Sequence, residues 1–381
     1  MPLSPTELAR IRDAAHDSIE SVVDLAMRIC SVPAPTGSEQ QRGEFVAALL
    51  TQRGYTPEID AVGNVYVRRG KRGTGPLLML MAHLDTVFPA DIPLLVERRG
   101  DKVHGPGIGD NSLSIAAMLG VLDLLDAMST ETATDIIAVA NVGEEGLGNL
   151  RGARAAVERY RSQLAAAIAI DGSLGHVAND AVGSKRWRVS VHGPGGHSFS
   201  SFGRPSAIHG LGRIIAALTT LAVPQFPRTT YNVGMIKGGT SVNTIAPYAE
   251  ALLDMRSVDV SALEQLASQA RSIIEGSAGV GLRTEIEVLG ERPAGSCHMS
   301  EPLVQLAIET LHWLGLQARL GAASTDANIP ISLNIPALCV GITQVEQAHT
   351  VEEWIAIPPI GDGLAQILRL SIETTSMLSR S

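Results

Sequence analysis

The chain has 381 residues, 45% of them hydrophobic and 18% charged, which is typical of a globular protein with more than one domain. Its formal net charge of -9 argues against nucleic acid as a partner, and an aromatic content of 3% leaves few surfaces on which bases could stack. We expect no apolar stretch to reach the roughly 18 residues of a membrane helix, so no membrane partner is predicted.

The N-terminal region and the cysteines both favour a cytoplasmic protein. Ser4 and Glu7, with Pro5 at the first helical position, predict a capped helix instead of the basic and then apolar pattern of a secretory leader. The three cysteines form no CxxC pair, and their odd number predicts free thiols in a reducing compartment.

Residues 1–180 alternate between helical and strand patterns. A helix is predicted from Ser38 to about Arg53, and a hairpin around Gly63–Asn64. Helical stretches, notably 112–128, then separate near-continuous apolar runs. These runs are 77–82, 135–141, 164–170 and, far down the chain, 336–342. Such runs, spaced by helices, predict an α/β fold with a mostly parallel sheet covered by helices on both faces.

The region between the third and fourth runs has a different pattern. Four strand and two helical patterns follow one another there in the β-α-β-β-α-β order of a ferredoxin-like α+β fold. Their residues are 185–192, 205–221, 229–236, 248–256, 261–278 and 283–289. We therefore predict a main domain of residues 1–182 and 293–381, interrupted by an inserted domain of residues 183–292.

Side chains of the types that ligate metals collect near the ends of the predicted main-domain strands, where open α/β sheets place their functional groups. They are, in chain order, His83, Asp85, Asp110, Glu144, Glu145, Asp171 and His349. Taken singly, each has an ordinary reading: Asp110 as a helix cap, Glu144–Glu145 as a solvated turn, His83 as a strand-end histidine. Together they would leave buried charge uncompensated unless a cation lay among them, and two divalent ions would resolve that.

A nucleotide-binding reading of the glycine-rich stretch GPGIG, residues 105–109, is disfavoured. Its glycine spacing does not match GxGxxG, and the GK[ST] of a phosphate-binding loop is missing.

Nine stretches occur in the order found in one known family. They are AHLDTV, GIGDNS, NVGEEG, IAIDGS, HGPGGHSFSSFG, GGTSVNTIAP, LLDMRS, STDANIP and AHTVEEW. The chain resembles, over nearly its whole length, the co-catalytic di-zinc metallopeptidases that include peptidase T, glutamate carboxypeptidase, aminoacylase, acetylornithine deacetylase and succinyl-diaminopimelate desuccinylase. The resemblance implies a zinc exopeptidase-like main domain that is catalytic, with the inserted domain acting as a lid and dimer contact.

The resemblance also implies a ligand set for two zinc ions per chain, although cobalt and manganese suit such ligands too. His83 and Asp171 would be terminal ligands of one ion, Glu145 and His349 of the other, and Asp110 would bridge them. Two such ions, roughly 3.5–4 Å apart, could hold and acidify one water molecule.

The same resemblance, together with the chemistry that such a reaction requires, implies roles for five further residues. Asp85 would orient the His83 ring through its second nitrogen, and Glu144 would be the general base. His197, in the inserted domain, would stabilise the oxyanion in the active site of a partner subunit, although GPGG could also be a plain turn. Asn243 and Arg256 would hold a substrate carboxylate or carbonyl, unless Arg256 only pairs with a strand neighbour.

Two departures from the family pattern bear on specificity. Asn111-Ser112-Leu113 replaces the usual lysine- or glycine-rich stretch after the bridging aspartate, so the floor beside the metals is expected to differ. Asp171 stands where deacylases and glutamate carboxypeptidases usually carry glutamate, and this resembles the aminopeptidase and dipeptidase branches.

We therefore predict a homodimeric di-zinc exopeptidase that acts on small peptides. The alternatives are an N-acyl amino acid amidohydrolase, a glutamate-type carboxypeptidase and, more remotely, a non-catalytic binding protein on the same fold.

Overall fold

The computed structural model describes residues 3–70 and 73–380. The chain divides into two compact units. The main unit consists of Met1–Ala181 and Ser296–Ser381, and the inserted unit consists of Val182–Gly295, where the sequence predicted 183–292.

The elements are numbered in chain order. The first segment contains α1 (Pro5–Asp17), α2 (Ile19–Cys30), α3 (Gln40–Gln52), β1 (Glu58–Ile59), β2 (Val65–Arg69), β3 (Leu77–His83), β4 (Glu97–Arg99), β5 (Lys102–His104), α4 (Leu113–Ala127), β6 (Asp135–Asn141), α5 (Arg151–Tyr160), β7 (Leu164–Ile170) and β8 (His176–Ala181). The middle segment contains β9 (Gly183–His192), β10 (Gly196–His197), α6 (Ala207–Leu218), β11 (Thr229–Gly238), β12 (Thr244–Ile245), β13 (Tyr248–Ser257), α7 (Val260–Ser277) and β14 (Arg283–Arg292). The last segment contains β15 (Gly295–Ser296), α8 (Pro302–Trp313), β16 (Arg319–Ala323), α9 (Asn328–Ser332), β17 (Ala337–Val340), β18 (Val345–Glu346), β19 (Trp354–Ala356) and α10 (Ile360–Leu378).

The main unit is built on a mixed, mostly parallel sheet, as its apolar runs predict. Its strands lie in the order β1-β2-β6-β3-β7-β17-β8, with β16 beside β8. Strands β6, β3, β7 and β17 are parallel neighbours, and β2 and β8 pair antiparallel to them. All seven residues of β3 and of β6 are buried, so both faces of the sheet are covered there. The predicted α/β fold class is confirmed.

One expectation about the main unit is wrong. The segment Ile108–Ala127 is 20 residues long with a mean hydropathy of 1.4, which is long and apolar enough to cross a membrane. Within the protein, 89% of its apolar window is buried, because α4 packs against α2, α10 and β3. A core helix that contacts apolar neighbours on every side acquires the same composition as a membrane helix.

The inserted unit has the predicted β-α-β-β-α-β order. Its four long strands form an antiparallel sheet in the order β11-β13-β9-β14, and α6 and α7 pack on the central strands β9 and β13. Buried residues alternate along β13, which is the pattern of a strand with one covered face. A separate two-stranded ladder joins β10 to β12.

A small antiparallel sheet in the main unit brings two distant loops together. Its order is β18-β19-β5-β4, so the hairpin β18–β19 lies beside the strand that leads into the glycine-rich turn 105–110. The hairpin loop contains His349, and the turn contains Asp110. This sheet therefore carries two of the predicted ligands toward the same place.

Candidate metal centre and active site

The structure gathers six of the residues predicted at the strand ends into one cluster. His83 is the last residue of β3, Glu144 and Glu145 lie in the turn after β6, and Asp171 directly follows β7. Triplets of their ligand atoms, together with those of Asp110 and His349, lie within 4.8 Å of one another. The triplets are His83–Glu144–Glu145, His83–Asp110–Asp171 and Asp110–Glu145–His349. We call these six residues the ligand cluster.

Asp110 lies between the two histidines. Its Oδ1 is 3.0 Å from His83 Nε2, and its Oδ2 is 3.1 Å from His349 Nε2. His349 Nε2 is also 3.0 Å from Glu145 Oε1. One carboxylate therefore faces two separate imidazole nitrogens, each with a further carboxylate nearby.

The donor atoms fit a metal better than they fit each other. His83 Nε2 and Asp110 Oδ1 are buried and 3.0 Å apart, yet they do not form a hydrogen bond of normal geometry. Ligand atoms of one tetrahedral zinc lie roughly 3.3 Å apart, since each is about 2.0–2.2 Å from the ion. Imidazole nitrogens and carboxylate oxygens are also the chemistry that zinc, cobalt and manganese accept. The residues present therefore suit divalent cations.

The charges of the cluster are poorly balanced without a cation. Burial and the nearby Asp110 carboxylate raise the pKa of Asp171 to about 7 and also raise the pKa of Glu145. Burial opposes a charge on Asp110 too, but His349 and His83 hold its pKa well below the ordinary value. The hydrogen bond to Asp110 is the main reason that the pKa of His349 rises to about 9. Several ionisable groups thus compete for few protons, which is typical of a metal or catalytic site.

The ring of His83 is oriented by the main chain of Asp85. His83 Nδ1 lies 2.9 Å from the Asp85 carbonyl oxygen, whereas the Asp85 carboxylate is 3.6 Å away. Because a carbonyl only accepts, Nδ1 carries a proton, which leaves Nε2 as the nitrogen that can ligate a metal once the ring is neutral. The sequence predicts that Asp85 orients this ring, but it does not tell whether the carbonyl or the side chain of Asp85 makes the contact.

The Asp85 carboxylate has a different task. Its two oxygens accept the main-chain N–H groups of Glu144 and Glu145, both at 2.9 Å, and the hydroxyl of Thr36 at 2.9 Å. Burial would raise the pKa of Asp85, but the His83 ring and these N–H groups lower it to about 2. An ionised carboxylate therefore fixes the turn that carries Glu144 and Glu145.

Asn111, which follows Asp110 in place of the lysine- or glycine-rich stretch expected from the family, has a structural role beneath the cluster. It is fully buried, and its Oδ1 accepts the main-chain N–H of His83 at 3.1 Å. Its Nδ2 donates to Asp171 Oδ1 at 3.1 Å and to the Ile170 carbonyl at 3.0 Å. Asn111 thus ties the end of β3 to the end of β7 beneath the cluster.

Glu353 is a buried residue that sequence reasoning did not single out. Its carboxylate accepts the main-chain N–H groups of Gly107, Gly109 and Asp110 at 3.0, 2.7 and 2.8 Å. Glu353 lies in AHTVEEW, one of the nine stretches that carry the family resemblance, but only its burial distinguishes it from the exposed Glu352. Sequence alone gives no signal for that difference.

The inserted unit brings two of its three predicted residues together. His197 in β10 pairs in register with Thr244 of β12, and the carbonyl of the adjacent Asn243 accepts the N–H of Ser198 at 2.9 Å. His197 and Asn243 are both exposed. Arg256 lies on β13, where its Nε donates to Asp254 at 2.7 Å, so the strand-neighbour alternative describes its observed contact.

Metal-dependent hydrolases are the class of protein that this combination of sheet and ligand cluster defines. The chain matches Peptidase family M20/M25/M40 over residues 79–373 and belongs to that family. It is a metal-dependent hydrolase of amide bonds, as the sequence predicted.

Similar proteins cover nearly the whole chain. A succinyl-diaminopimelate desuccinylase of Corynebacterium glutamicum is 26% identical over 365 residues, which span 93% of this chain and 96% of that protein. A tripeptidase of Staphylococcus aureus has the same fold, with a TM-score of 0.79 at 22% identity over 95% of this chain and 99% of its own. A Bacillus subtilis protein described as a dinuclear metal binding peptidase has a TM-score of 0.70 at 16% identity, covering 94% and 98%.

Proposed function

We propose that the protein is a zinc-dependent exopeptidase that cleaves small peptides in the manner of an aminopeptidase or dipeptidase. The observation that carries this proposal is a cleft of about 380 Å³ beside Asp171, lined also by Ser173, His176 and Thr325. None of the described residues that line the cleft is a lysine or an arginine. The cleft therefore suits the α-amino end of a peptide better than an acyl group that carries its own carboxylate.

We assign one ion to His83 and Asp171 and a second to Glu145 and His349, with Asp110 shared between them. The support for this division is that the two oxygens of Asp110 face different histidines, at 3.0 and 3.1 Å. Zinc is the proposed metal, and cobalt or manganese would suit the same donors. When bound, the cations supply electrophilic activation of a water molecule and of the scissile carbonyl.

Glu144 is the proposed general base. It is buried, its main-chain N–H is held by Asp85, and a carboxylate oxygen lies within 4.8 Å of ligand atoms of His83 and Glu145. From that position it takes a proton from the attacking water and delivers it to the leaving amine nitrogen. Glu145 is oriented by the same Asp85 carboxylate and is assigned to the metal.

His197 is the proposed donor to the developing oxyanion. Its Nδ1 accepts the N–H groups of Phe199 and Ser200 at 3.2 and 3.4 Å, so the neutral ring carries its proton on Nε2. That proton is available for donation to a substrate oxygen. We infer that His197 acts in the active site of a second copy in a cytoplasmic homodimer, where Asn243 would hold the substrate together with Arg256, once Arg256 is released from Asp254.

The first experiment is a determination of metal per chain by elemental analysis after reconstitution with zinc. About two zinc ions per chain would support the assignment. Protein that retains no metal would contradict it, because the five assigned ligands would then have no ion to hold.

The second experiment separates the substrate classes. Dipeptides and tripeptides with a free amino end are compared with N-acetyl and N-succinyl amino acids and with peptides that end in glutamate. We expect the highest kcat/KM for the peptides with a free amino end. The alternative of N-acyl amino acid hydrolysis has the desuccinylase relative in its favour, and a preference for N-succinyl or N-acetyl substrates would establish it.

A further inference from the structure

The turn that presents Asp110 is held from below by a single carboxylate. Glu353 has no exposed surface, and its Oε1 accepts the N–H groups of Gly109 and Asp110 at 2.7 and 2.8 Å. Its Oε2 accepts the N–H of Gly107 at 3.0 Å, and its carbonyl accepts the N–H of Gly105 at 3.0 Å. Three converging N–H groups of one turn thus end on one side chain, and a fourth ends on the same residue's main chain.

The same residue belongs to the loop that presents His349. Glu353 closes that loop, since its N–H donates to the carbonyl of Thr350 at 3.2 Å. The next residues form β19, which pairs with β5, the strand that enters the Asp110 turn. The turn also packs closely on the hairpin, because a Cβ on Gly109 would lie 2.5 Å from Val345 Cγ1. One buried residue therefore contacts both loops, although their ligands, Asp110 and His349, are 239 positions apart in the sequence.

We propose that Glu353 is a positioning residue, which sets Asp110 and His349 at the correct separation before a metal arrives. The inference rests on the proposed role of these two residues as ligands. Glu353 does for the Asp110 turn what Asp85 does for the Glu144–Glu145 turn: a buried carboxylate accepts consecutive main-chain N–H groups and leaves the ligand oxygens pointing away. Glu353 is not among the residues assigned to the metal ions or to the substrate.

A carboxylate suits this position because the three main-chain groups that hydrogen-bond to it, the N–H groups of Gly107, Gly109 and Asp110, are all donors. In Glu353→Gln the amide keeps one acceptor oxygen, but its NH2 group must meet at least one main-chain N–H of the turn, and two donors repel. The turn is expected to shift and to move the Asp110 oxygens relative to His349. Glu352→Gln is the matched control, since it makes the same chemical change one residue away on an exposed side chain.

The test is a calorimetric titration of metal-free wild-type, E353Q and E352Q protein with Zn²⁺. We expect metal affinity to fall about 10- to 100-fold in E353Q and to remain unchanged in E352Q. The visible absorption spectrum of the Co²⁺-loaded E353Q protein should change as well, because the ligand geometry does. Its kcat should fall while KM stays within about twofold, as expected for a residue that does not touch substrate.

The outcomes separate this inference from the proposed function. Wild-type protein that binds no zinc would overturn both. Wild-type protein that binds zinc, together with E353Q of equal affinity and an unchanged cobalt spectrum, would overturn the role of Glu353 alone.

A measurement without any substitution covers the case in which E353Q does not fold. In metal-free wild-type protein, the amides of Gly107, Gly109 and Asp110 should exchange with solvent at least about tenfold more slowly than those of the exposed loop 347–349. Slow exchange shows that Glu353 holds the turn before metal binds. Exchange as fast as in the exposed loop would overturn the inference.

Discussion

The ligand cluster of the main unit and the His197 ladder of the inserted unit differ in how firmly the fold holds them. His83 is 1% exposed, and its main-chain N–H is bound by the side chain of Asn111. His197 and Asn243, in contrast, are exposed on a ladder of two short strands. The first set can be in place before a ligand arrives, whereas the second keeps its side chains open to solvent.

This difference indicates which measurement should respond to which substitution. The five assigned ligands of the cluster, and the carboxylates behind them, are expected to act on metal affinity, because their geometry would define the place of the ions, whereas Glu144, as the proposed base, should act on the reaction alone. Groups on the ladder, in their proposed role as oxyanion and substrate donors, should act on the transition state and leave metal affinity untouched. The following predictions test that division, from the largest expected effect to the smallest.

Replacing Glu144 with alanine should lower kcat about 10²- to 10⁴-fold, because the reaction would lose its proposed general base. Metal content should remain that of the wild type, since Glu144 is not an assigned ligand. Steady-state kinetics and elemental analysis on the same preparation check both points. Glu158→Ala, on an exposed face of α5, is the control, and a Glu144→Ala enzyme with wild-type kcat would remove Glu144 from the mechanism.

Replacing His197 with alanine should lower kcat about 10²- to 10³-fold, because the oxyanion loses a donor. Zinc affinity and thermal stability should not change, since the ring is exposed. Calorimetric titration and thermal melts would show this. A loss of zinc affinity in His197→Ala would contradict the division between cluster and ladder.

The partner-subunit role of His197 has its own readout. Mixing inactive His197→Ala and Glu144→Ala proteins under subunit exchange should restore activity to about a quarter of wild type, because hybrid dimers contain one complete site. No recovery, or a monomer by light scattering, would place His197 in the site of its own chain or outside catalysis.

Replacing Asp85 with alanine should lower zinc affinity about 10- to 100-fold, because the N–H groups of Glu144 and Glu145 lose their acceptor. Thr36→Ala removes only the hydroxyl that donates to the same carboxylate, and its effect should be smaller. Zinc titration of both variants makes the comparison. Equal affinities for the Asp85 variant and the wild type would show that the turn holds its shape unaided.

The smallest predicted effect is a pH dependence of the metal-free protein. The pKa of His349 is raised to about 9 by its contact with Asp110, so its protonated form contributes stability that is complete below an unfolded pKa of about 6.5. That contribution is lost as pH rises through about 9, and zinc affinity should increase over the same window because the ring must be neutral to ligate. Titrations in two buffers of different ionisation enthalpy count the released protons. A zinc affinity that is constant from pH 6.5 to 9 would contradict the assignment of His349.

Much of the scaffold was predictable because it depends on local pattern. The runs at 77–82 and 164–170 are apolar throughout, and that at 135–141 is apolar between Asp135 and Asn141. They became β3, β7 and β6 within a residue of their predicted bounds. Parallel strands end at a common edge, so residues that follow such runs were expected to meet. His83, Glu145 and Asp171 do meet there.

The supports of the cluster were less predictable, because they depend on which side chain the tertiary fold buries. Glu352 and Glu353 are the same residue type, and the tertiary fold buries only the second one, just before β19 pairs with β5. The contact between His83 and the Asp85 carbonyl involves a main-chain atom that every residue possesses. The expectation that no apolar stretch reaches the length of a membrane helix failed at Ile108–Ala127 for a related reason. Burial in a protein core and burial in a bilayer favour the same apolar residue types.

The two ends of the cluster differ in access to solvent, and this has a consequence for handling the protein. The side chain of His349 is 53% exposed, whereas that of His83 is 1% exposed. A chelator can therefore reach an ion held by His349 past an exposed side chain, whereas an ion held by His83 would be bound by a covered one. Dialysis against a chelator should therefore pass through a long-lived species with a single ion, and purification in such buffers should yield a mixture of loading states.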